Sequence, residues 1–373
     1  METLKSLNKF LDQKALYYDK IDYDTIRVSW DILQQNMTLP YVIHLVGTNG
    51  KGSTGRFLAH YLNKLNYKTL HYSSPHILKF NERIWINGHD VSDKSLEETH
   101  TKLQKLLPDE ILKKLTYFEY TTLLSLLLSS GFDYLVLEAG LGGEFDATNV
   151  VKNDLSLITT IDLDHQSFLG NTVKEIAATK LRSCDKKMIV NKQLHQEVYD
   201  IAEDYDYMNV EEFDVSHLTL FPSYLLQNLK LALTALNYLK IDIDLSLFKD
   251  IKLFGRCQKI ETNITIDVGH NPLAAKVIRE EFIQKHQKVS LIYNSFKDKD
   301  YKQVLEILKP IVTEVLIIKV QDERIVQKEE LIKTCEVLDL KFKDFDSIQD
   351  EKQYLVFGSF SVVEEFLKGR SEK

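Results

Sequence analysis

Short apolar runs recur along this chain, each closed by a polar or glycine-rich turn and followed by residues at helical spacing. Such a pattern predicts buried strands alternating with helices. The clearest run is Tyr41–Val46, followed by Gly47-Thr48-Asn49-Gly50-Lys51-Gly52-Ser53 and a predicted helix over 56–65. Residues 69–72 predict a second strand, ending in Ser73-Ser74-Pro75-His76. Residues 80–88 read as an extended segment closed by Asn87-Gly88, a hairpin-type turn. Helices are predicted over 93–107 and 118–130, and strands over 134–138, 155–161 and 187–190. Thr172 with Glu175 gives a capping box for a helix over 172–180. Another helix is expected over 224–239, whereas 195–222 takes no assignment. Ahead of the first strand, residues 1–40 read as helical: Leu4, Leu7, Phe10 and Leu11 share a face, and 26–33 forms a second segment.

A second alternating series starts near residue 260, with strands over 264–267, 289–293, 314–319 and 354–357 and helices over 273–282, 303–308 and 361–367. The expected fold class is α/β: mostly parallel sheets wrapped by helices, in two domains, 1–253 and 254–373. In such sheets the ligand crevice lies at the carboxyl ends of the strands. The polar clusters 47–53, 73–76, 138–149 and 162–165 all fall at predicted strand ends.

Composition adds limits. Of 373 residues, 44% are hydrophobic and 27% charged, an ordinary globular balance. The net charge of −8 argues against nucleic acid as a partner. The N-terminal stretch carries Glu2 and Asp12 and lacks a signal-peptide core, and no apolar run is long enough to span a bilayer. Three cysteines, at 184, 257 and 335, fit no metal or disulfide spacing. A cytoplasmic monomer is expected, acting on small molecules.

The first glycine-rich turn joins a strand to a helix N-terminus, an arrangement that cradles anions. Lys51 adds a full charge for terminal phosphates, and Thr48 and Ser53 add hydroxyls. The spacing departs from G-x-x-x-x-G-K-[ST], because Gly47 lies three residues before Gly50 and Gly52 separates Lys51 from Ser53. Glu138, closing an apolar strand, can hold Mg²⁺. His165 reads either as a site residue or as a hydrogen-bonded structural histidine. Asp146 and Asn149 read equally as turn formers, and Asp267 as a turn cap. Arg256, at the inferred domain junction, can reach a phosphate or form a surface ion pair.

Taken in order, HLVGTNGKGST (44–54), SSPHILKFNERIWING (73–88), FEYTT (118–122), LEAGLGGEFDATNV (137–150), ITTIDLDHQSFLGNTVKEIAATK (158–180), GRCQKIE (255–261), IDVGHNP (266–272), NSFKDKD (294–300) and FGSFSVVEE (357–365) resemble the folylpolyglutamate synthase and dihydrofolate synthase family. The resemblance spans both predicted domains. It implies a P-loop-type, Mur-ligase-like ATP-binding domain, a smaller Rossmann-like C-terminal domain and a site between them. It implies ATP-dependent addition of L-glutamate to dihydropteroate, to folates, or to both, through an acyl phosphate. By the same resemblance, Asn49, Gly50, Lys51, Gly52 and Ser53 match the phosphate loop, and Ser74, Glu138 and His165 match Mg²⁺ ligands. Lys180 matches a lysine carbamylated in the family near a second Mg²⁺. Asp146 and Ala147 match pterin contacts, and Arg256, Asp267, His270 and Asn271 fall in the nucleotide-contacting stretches of the second domain. Lys51, His165 and Lys180 are thus the expected catalytic residues, and ATP and Mg²⁺, in two sites, the expected cofactors. Departures from the family pattern are Thr179-Lys180-Leu181-Arg182, Asp267-Val268-Gly269 and Glu144.

Two other readings compete. A guanine-reading switch would want an N-K-x-D stretch, and the nearest, Asn191-Lys192-Gln193-Leu194, lacks the acid. A ligase of the same fold acting on peptide precursors is the other.

Overall fold

The structure, a computed structural model, describes residues 6–15, 23–219 and 221–371. Glu2, Leu4, Leu220 and part of the 1–40 helical stretch lie outside them. The chain divides into two compact units, residues 1–217 with 225–251 and residues 218–224 with 252–373.

In the first unit, eight strands among the described residues form one sheet in the order β4-β3-β2-β5-β1-β6-β7-β8. They are β1 (Tyr41–Val46), β2 (Thr69–Tyr72), β3 (Ile84–Ile86), β4 (His89–Asp90), β5 (Tyr134–Glu138), β6 (Leu155–Ile158), β7 (Lys187–Val190) and β8 (Tyr207–Asn209). From β2 across to β8 every pairing is parallel. Only the β2-β3-β4 edge is antiparallel, turned by Asn87 and Gly88 at φ 46° and 101°. The central strands are buried along nearly their full length, as strands covered on both faces must be.

β1 lies between β5 and β6, and the chain leaves it first toward β2 on one side and later toward β7 on the other. That reversal is the switch point where the loops after neighbouring strands splay apart. Leu45 pairs with Glu138 and Val46 with Ile158, so three strand ends come level there.

In the second unit, six strands among the described residues form the order β13-β12-β11-β14-β10-β9. They are β9 (Gln258–Glu261), β10 (Ile264–Ile266), β11 (Val289–Tyr293), β12 (Val312–Ile317), β13 (Phe342–Asp344) and β14 (Tyr354–Phe357). All pairs are parallel except β9 with β10. The helices Pro272–Gln284, Tyr301–Leu308 and Lys328–Val337 contribute Ile278, Val304, Leu305 and Leu331 to its core. Among the described residues no helix is long and apolar enough to cross a membrane.

The sheet of the first unit holds two buried histidines, His44 and His71, each 1% exposed. Burial pushes the His44 imidazole down to about 4. His71 is pushed well below its usual value by burial and then by the Arg56 charge. Neither ring nitrogen of His71 has a hydrogen-bond partner among the described residues. Above pH ~6.5 both rings are neutral, folded or unfolded, and titration costs nothing. Below it only the unfolded chain takes up the protons, so folding stability falls with pH, by roughly 3 kcal/mol for His44 once pH 4 is reached. Urea midpoints measured from pH 7 to 4.5 should fall, and His71→Val should flatten the decline. An unchanged slope in the valine variant would show that His71 does not carry it.

Candidate functional site

The loop after β1 is fixed by its neighbours before any ligand arrives. The helix Lys51–Lys64 starts at Gly50, whose φ is 95°, and no side chain caps it. The first N–H groups of a helix have no partner within it, so an uncapped start offers donors to an anion. Gly50 must be glycine here for a second reason. A Cβ would stand 2.5 Å from the Asn228 Oδ1, on the helix Ser223–Tyr238.

Two lysines meet at this loop. Lys51 Nζ donates to the Gly47 carbonyl at 3.1 Å and to the Thr48 carbonyl at 3.4 Å. Lys180 Nζ donates to the same Gly47 carbonyl at 3.0 Å. Lys180 is 4% exposed, in the last turn of the helix Val173–Leu181, which starts at the Thr172–Glu175 capping box. Burial, and then repulsion from Lys51, brings the Lys180 ammonium down to about 7. Its helix end is held by Ser183 Oγ donating to the Lys180 carbonyl at 2.7 Å and by the Thr179 carbonyl accepting from Glu144 N at 2.9 Å. Arg182 pairs with Glu144, so two departures from the family pattern meet each other.

Thr48 does a different job from the one expected. Its hydroxyl donates to the Asp162 carbonyl at 2.9 Å and accepts from Asp162 N at 3.1 Å. The one hydroxyl proton is spent, so Thr48 ties the loop to the segment after β6 and has none to give a phosphate. Ser53, 3% exposed, stays in the first turn of the helix with Gly52 and Asn49 close by in sequence.

Glu138, 6% exposed, closes β5 and accepts from Ser74 N at 3.3 Å. Arg56, whose guanidinium lies 4.8 Å from the Trp85 ring, adds positive potential to Glu138. His165 is a left-handed residue (φ 50°) opening the helix Gln166–Leu169, with Nε2 3.9 Å from Asp164 Oδ1. Among the described residues no three His, Cys, Asp or Glu side chains converge as a full metal cage. A buried carboxylate beside a serine fits Mg²⁺, which takes few protein oxygens and completes its shell with water and phosphate.

Asp146 is 8% exposed and committed to its own loop: Leu141 N, Thr148 N and Thr148 Oγ1 donate to it at 2.7, 2.9 and 2.5 Å. Burial raises its pKa. The turn-forming role left open by the sequence is therefore filled. Ala147 starts the short turn that Asp146 caps. Phe118 packs so closely on Gly140 that a Cβ there would stand 2.5 Å from its ring, which sets an aromatic face beside this loop.

In the second unit the expected nucleotide contacts gather after β10. Asp267, 4% exposed and raised in pKa by burial, accepts from Gly269 N and Cys257 N, each at 2.7 Å, and from Tyr224 Oη at 3.0 Å. Its carboxylate organises the loop, as the cap reading allows. Asn271 caps the helix Pro272–Gln284 by accepting from Ala274 N at 2.9 Å. His270 Nδ1 lies 3.2 Å from the Val268 carbonyl. Arg256 stacks 5.3 Å from the Phe360 ring.

A glycine-rich loop at a sheet switch point, a buried carboxylate level with it and a lysine on the loop's own carbonyl make a candidate site for a nucleotide-using enzyme. Comparison with known proteins sharpens this. The dihydrofolate synthase/folylpolyglutamate synthase of Haemophilus influenzae is 32% identical, over 88% of this chain and 88% of that one. The crystal structure of Helicobacter pylori folylpolyglutamate synthetase is 38% identical, with TM-score 0.78 and 98% of each chain covered. The Escherichia coli enzyme, in complex with DHPP and ADP, is 26% identical, with TM-score 0.86, over 99% of this chain and 98% of that one. No protein-family model matches the chain. The chain belongs to the dihydrofolate synthase/folylpolyglutamate synthase family, whose members are ATP-dependent glutamate ligases of folate metabolism.

Sequence reading gave Asn228 no role and named Phe118 only within FEYTT, because the glycine that each one faces becomes its neighbour only on folding.

Proposed function

We propose that this chain carries both synthase activities, adding L-glutamate to dihydropteroate and to tetrahydrofolate. The substrate carboxylate attacks the γ-phosphorus of ATP and ADP leaves. The glutamate amine then attacks the acyl phosphate, and phosphate leaves as the amide forms. The convergence of Lys51 and Lys180 on the Gly47 carbonyl supports the ATP-dependent step most directly, because it puts the Lys51 charge and a second, readily deprotonated lysine where the phosphates would arrive. The backbone N–H groups of Gly50, Lys51, Gly52 and Ser53, with Asn49 leading in, would take the β- and γ-phosphates. Glu138, Ser74 and His165 would hold Mg²⁺, which supplies charge neutralisation at the transferring oxygens. Asn228, pressed on Gly50, would meet the nucleotide beside the loop; Arg256, Asp267, His270 and Asn271 are the second unit's own candidate nucleotide contacts.

Asp146, Ala147 and the Phe118 ring would line the pteridine end. Because the Asp146 carboxylate also holds its loop, Asp146→Ala should lower both reactions and the dihydropteroate reaction further. Equal losses would leave Asp146 with the loop alone. A monomer in a reducing cytosol goes with this reading, and the three cysteines are free thiols. The deciding assay is ADP release with dihydropteroate and with tetrahydrofolate, each with and without L-glutamate. Release that ignores glutamate would overturn the reading in favour of a nucleotide switch, and release with tetrahydrofolate alone would reduce it to one activity.

A further inference from the structure

The segment between β6 and His165 is gripped from both sides. On one side stands the phosphate loop: Thr48 exchanges two hydrogen bonds with Asp162, and Thr48 N and Asn49 N donate to the Thr160 carbonyl at 2.9 and 3.3 Å. On the other stands the segment after β7. Gln193, 9% exposed, accepts from Ile161 N at 2.9 Å and donates to the Thr159 carbonyl at 3.1 Å and the Asn191 carbonyl at 2.9 Å. Its own N–H donates to Tyr199 Oη at 2.9 Å. Two residues on, His195 Nε2 lies 3.0 Å from Asp162 Oδ1, which also accepts from Leu163 N at 2.8 Å. Asp162 thus binds Thr48 through its backbone and His195 through its side chain, three residues before His165.

The run from 159 to 162 has no regular strand pairing beyond Ile158, so these side chains do what a ladder would otherwise do. Loops that carry reacting groups need such support, because a displacement of about 1 Å costs heavily in rate. We propose that Asp162, Gln193 and His195 are positioning residues, which fix the segment bearing Asp164 and His165 relative to the phosphate loop and so set the affinity for the nucleotide-bound divalent cation. The inference rests on the reading that His165 meets Mg²⁺. His195 itself touches no reacting atom. Its Nε2–H donates to the Asp162 carboxylate, and its effect passes through the turn at Leu163.

The test is ADP release with L-glutamate and tetrahydrofolate, titrated with MgCl₂, in the parent, His195→Ala, His195→Gln and Gln193→Ala. Losing one charge-assisted hydrogen bond should raise the half-saturating Mg²⁺ concentration about five-fold in His195→Ala. The kcat at saturating Mg²⁺ should stay within about two-fold, because the group that acts there is untouched. His195→Gln, whose amide can still donate to Asp162, should recover most of the loss. Gln193→Ala should shift the Mg²⁺ midpoint the same way. Binding of ADP titrated by calorimetry at several MgCl₂ concentrations should show the same shift, so the brace is tested even if the parent ligates neither folate. An unchanged midpoint in folded variants overturns the proposal. So does a loss of kcat and melting temperature together, without rescue by glutamine, since that marks a residue that only holds the fold. A parent without glutamate-dependent ADP release, but with the Mg²⁺ shift intact in calorimetry, would overturn the ligase reading and leave the brace standing.

Discussion

Lys51→Ala should fold normally and lose ATP turnover by about 10²- to 10³-fold, the range seen when one preorganised stabiliser of transition-state charge is removed. The lysine's present bonds are to two loop carbonyls, which water can replace at the rim of the cradle. The loss should therefore appear in kcat far more than in melting temperature. The variant should also change its neighbour. Lys51 is the second cause, after burial, of the lowered Lys180 pKa, so its removal should let the Lys180 ammonium rise above about 7. Normal turnover in a folded Lys51→Ala protein would remove the phosphate-loop assignment.

Lys180→Ala should lose amide formation by about 10²-fold or more, and a small carboxylic acid in excess should restore part of it. A lysine brought to about 7 is largely a free amine at pH 8, and a free amine adds CO₂ to give a carbamate. The carbamate carries the hard oxygens that Mg²⁺ prefers, whereas an ammonium would repel the ion. Activity should accordingly fall as pH drops through about 7, where the amine regains its proton. A carbamate on Lys180 should be visible in crystals grown above that pH, or by carbon NMR with labelled bicarbonate. An unmodified lysine and full activity in the alanine variant would end the idea. The rigid seating of the residue is favourable, since Ser183 and Glu144 both fix the backbone of its helix end.

The parallel strands were legible because strands covered on both faces are nearly continuous apolar runs, and Tyr41–Val46, Val289–Tyr293 and Tyr354–Phe357 are, interrupted only by His44 and Ser290. The elements that escaped are edge strands and exposed helices. Gln258–Glu261 alternates half-buried and exposed positions with charge in it, and Phe342–Asp344 is largely exposed. Lys328–Val337, Gln196–Ala202 and Tyr207–Asn209 bury too few residues to show in composition. Predicted strand 155–161 stops at Ile158, because beyond it the Gln193 side chain takes the Ile161 N–H and the Thr159 carbonyl, and the Thr160 carbonyl turns to the N–H groups of Thr48 and Asn49.

At the site, glycines and charged residues were readable by type and place. What sequence could not give is which hydrogen bonds each polar group had already made. Asp146, Asp267 and Asn271 make turn and cap bonds two or three residues along the chain, which their residue types suggested, whereas the Thr48 bond to Asp162 and the Tyr224 bond to Asp267 come only from tertiary folding.

The ends of the two sheets carry their own consequence. β4 is two exposed residues, His89 and Asp90, and β8 is three residues long. The outer strands of the second sheet, β9 and β13, carry Lys259, Glu261, Lys343 and Asp344. Short borders studded with charge are poor templates for another chain's backbone. Copies of this protein crowded together would meet, among the described residues, only short charged edges, which disfavours the zipping of one sheet onto another.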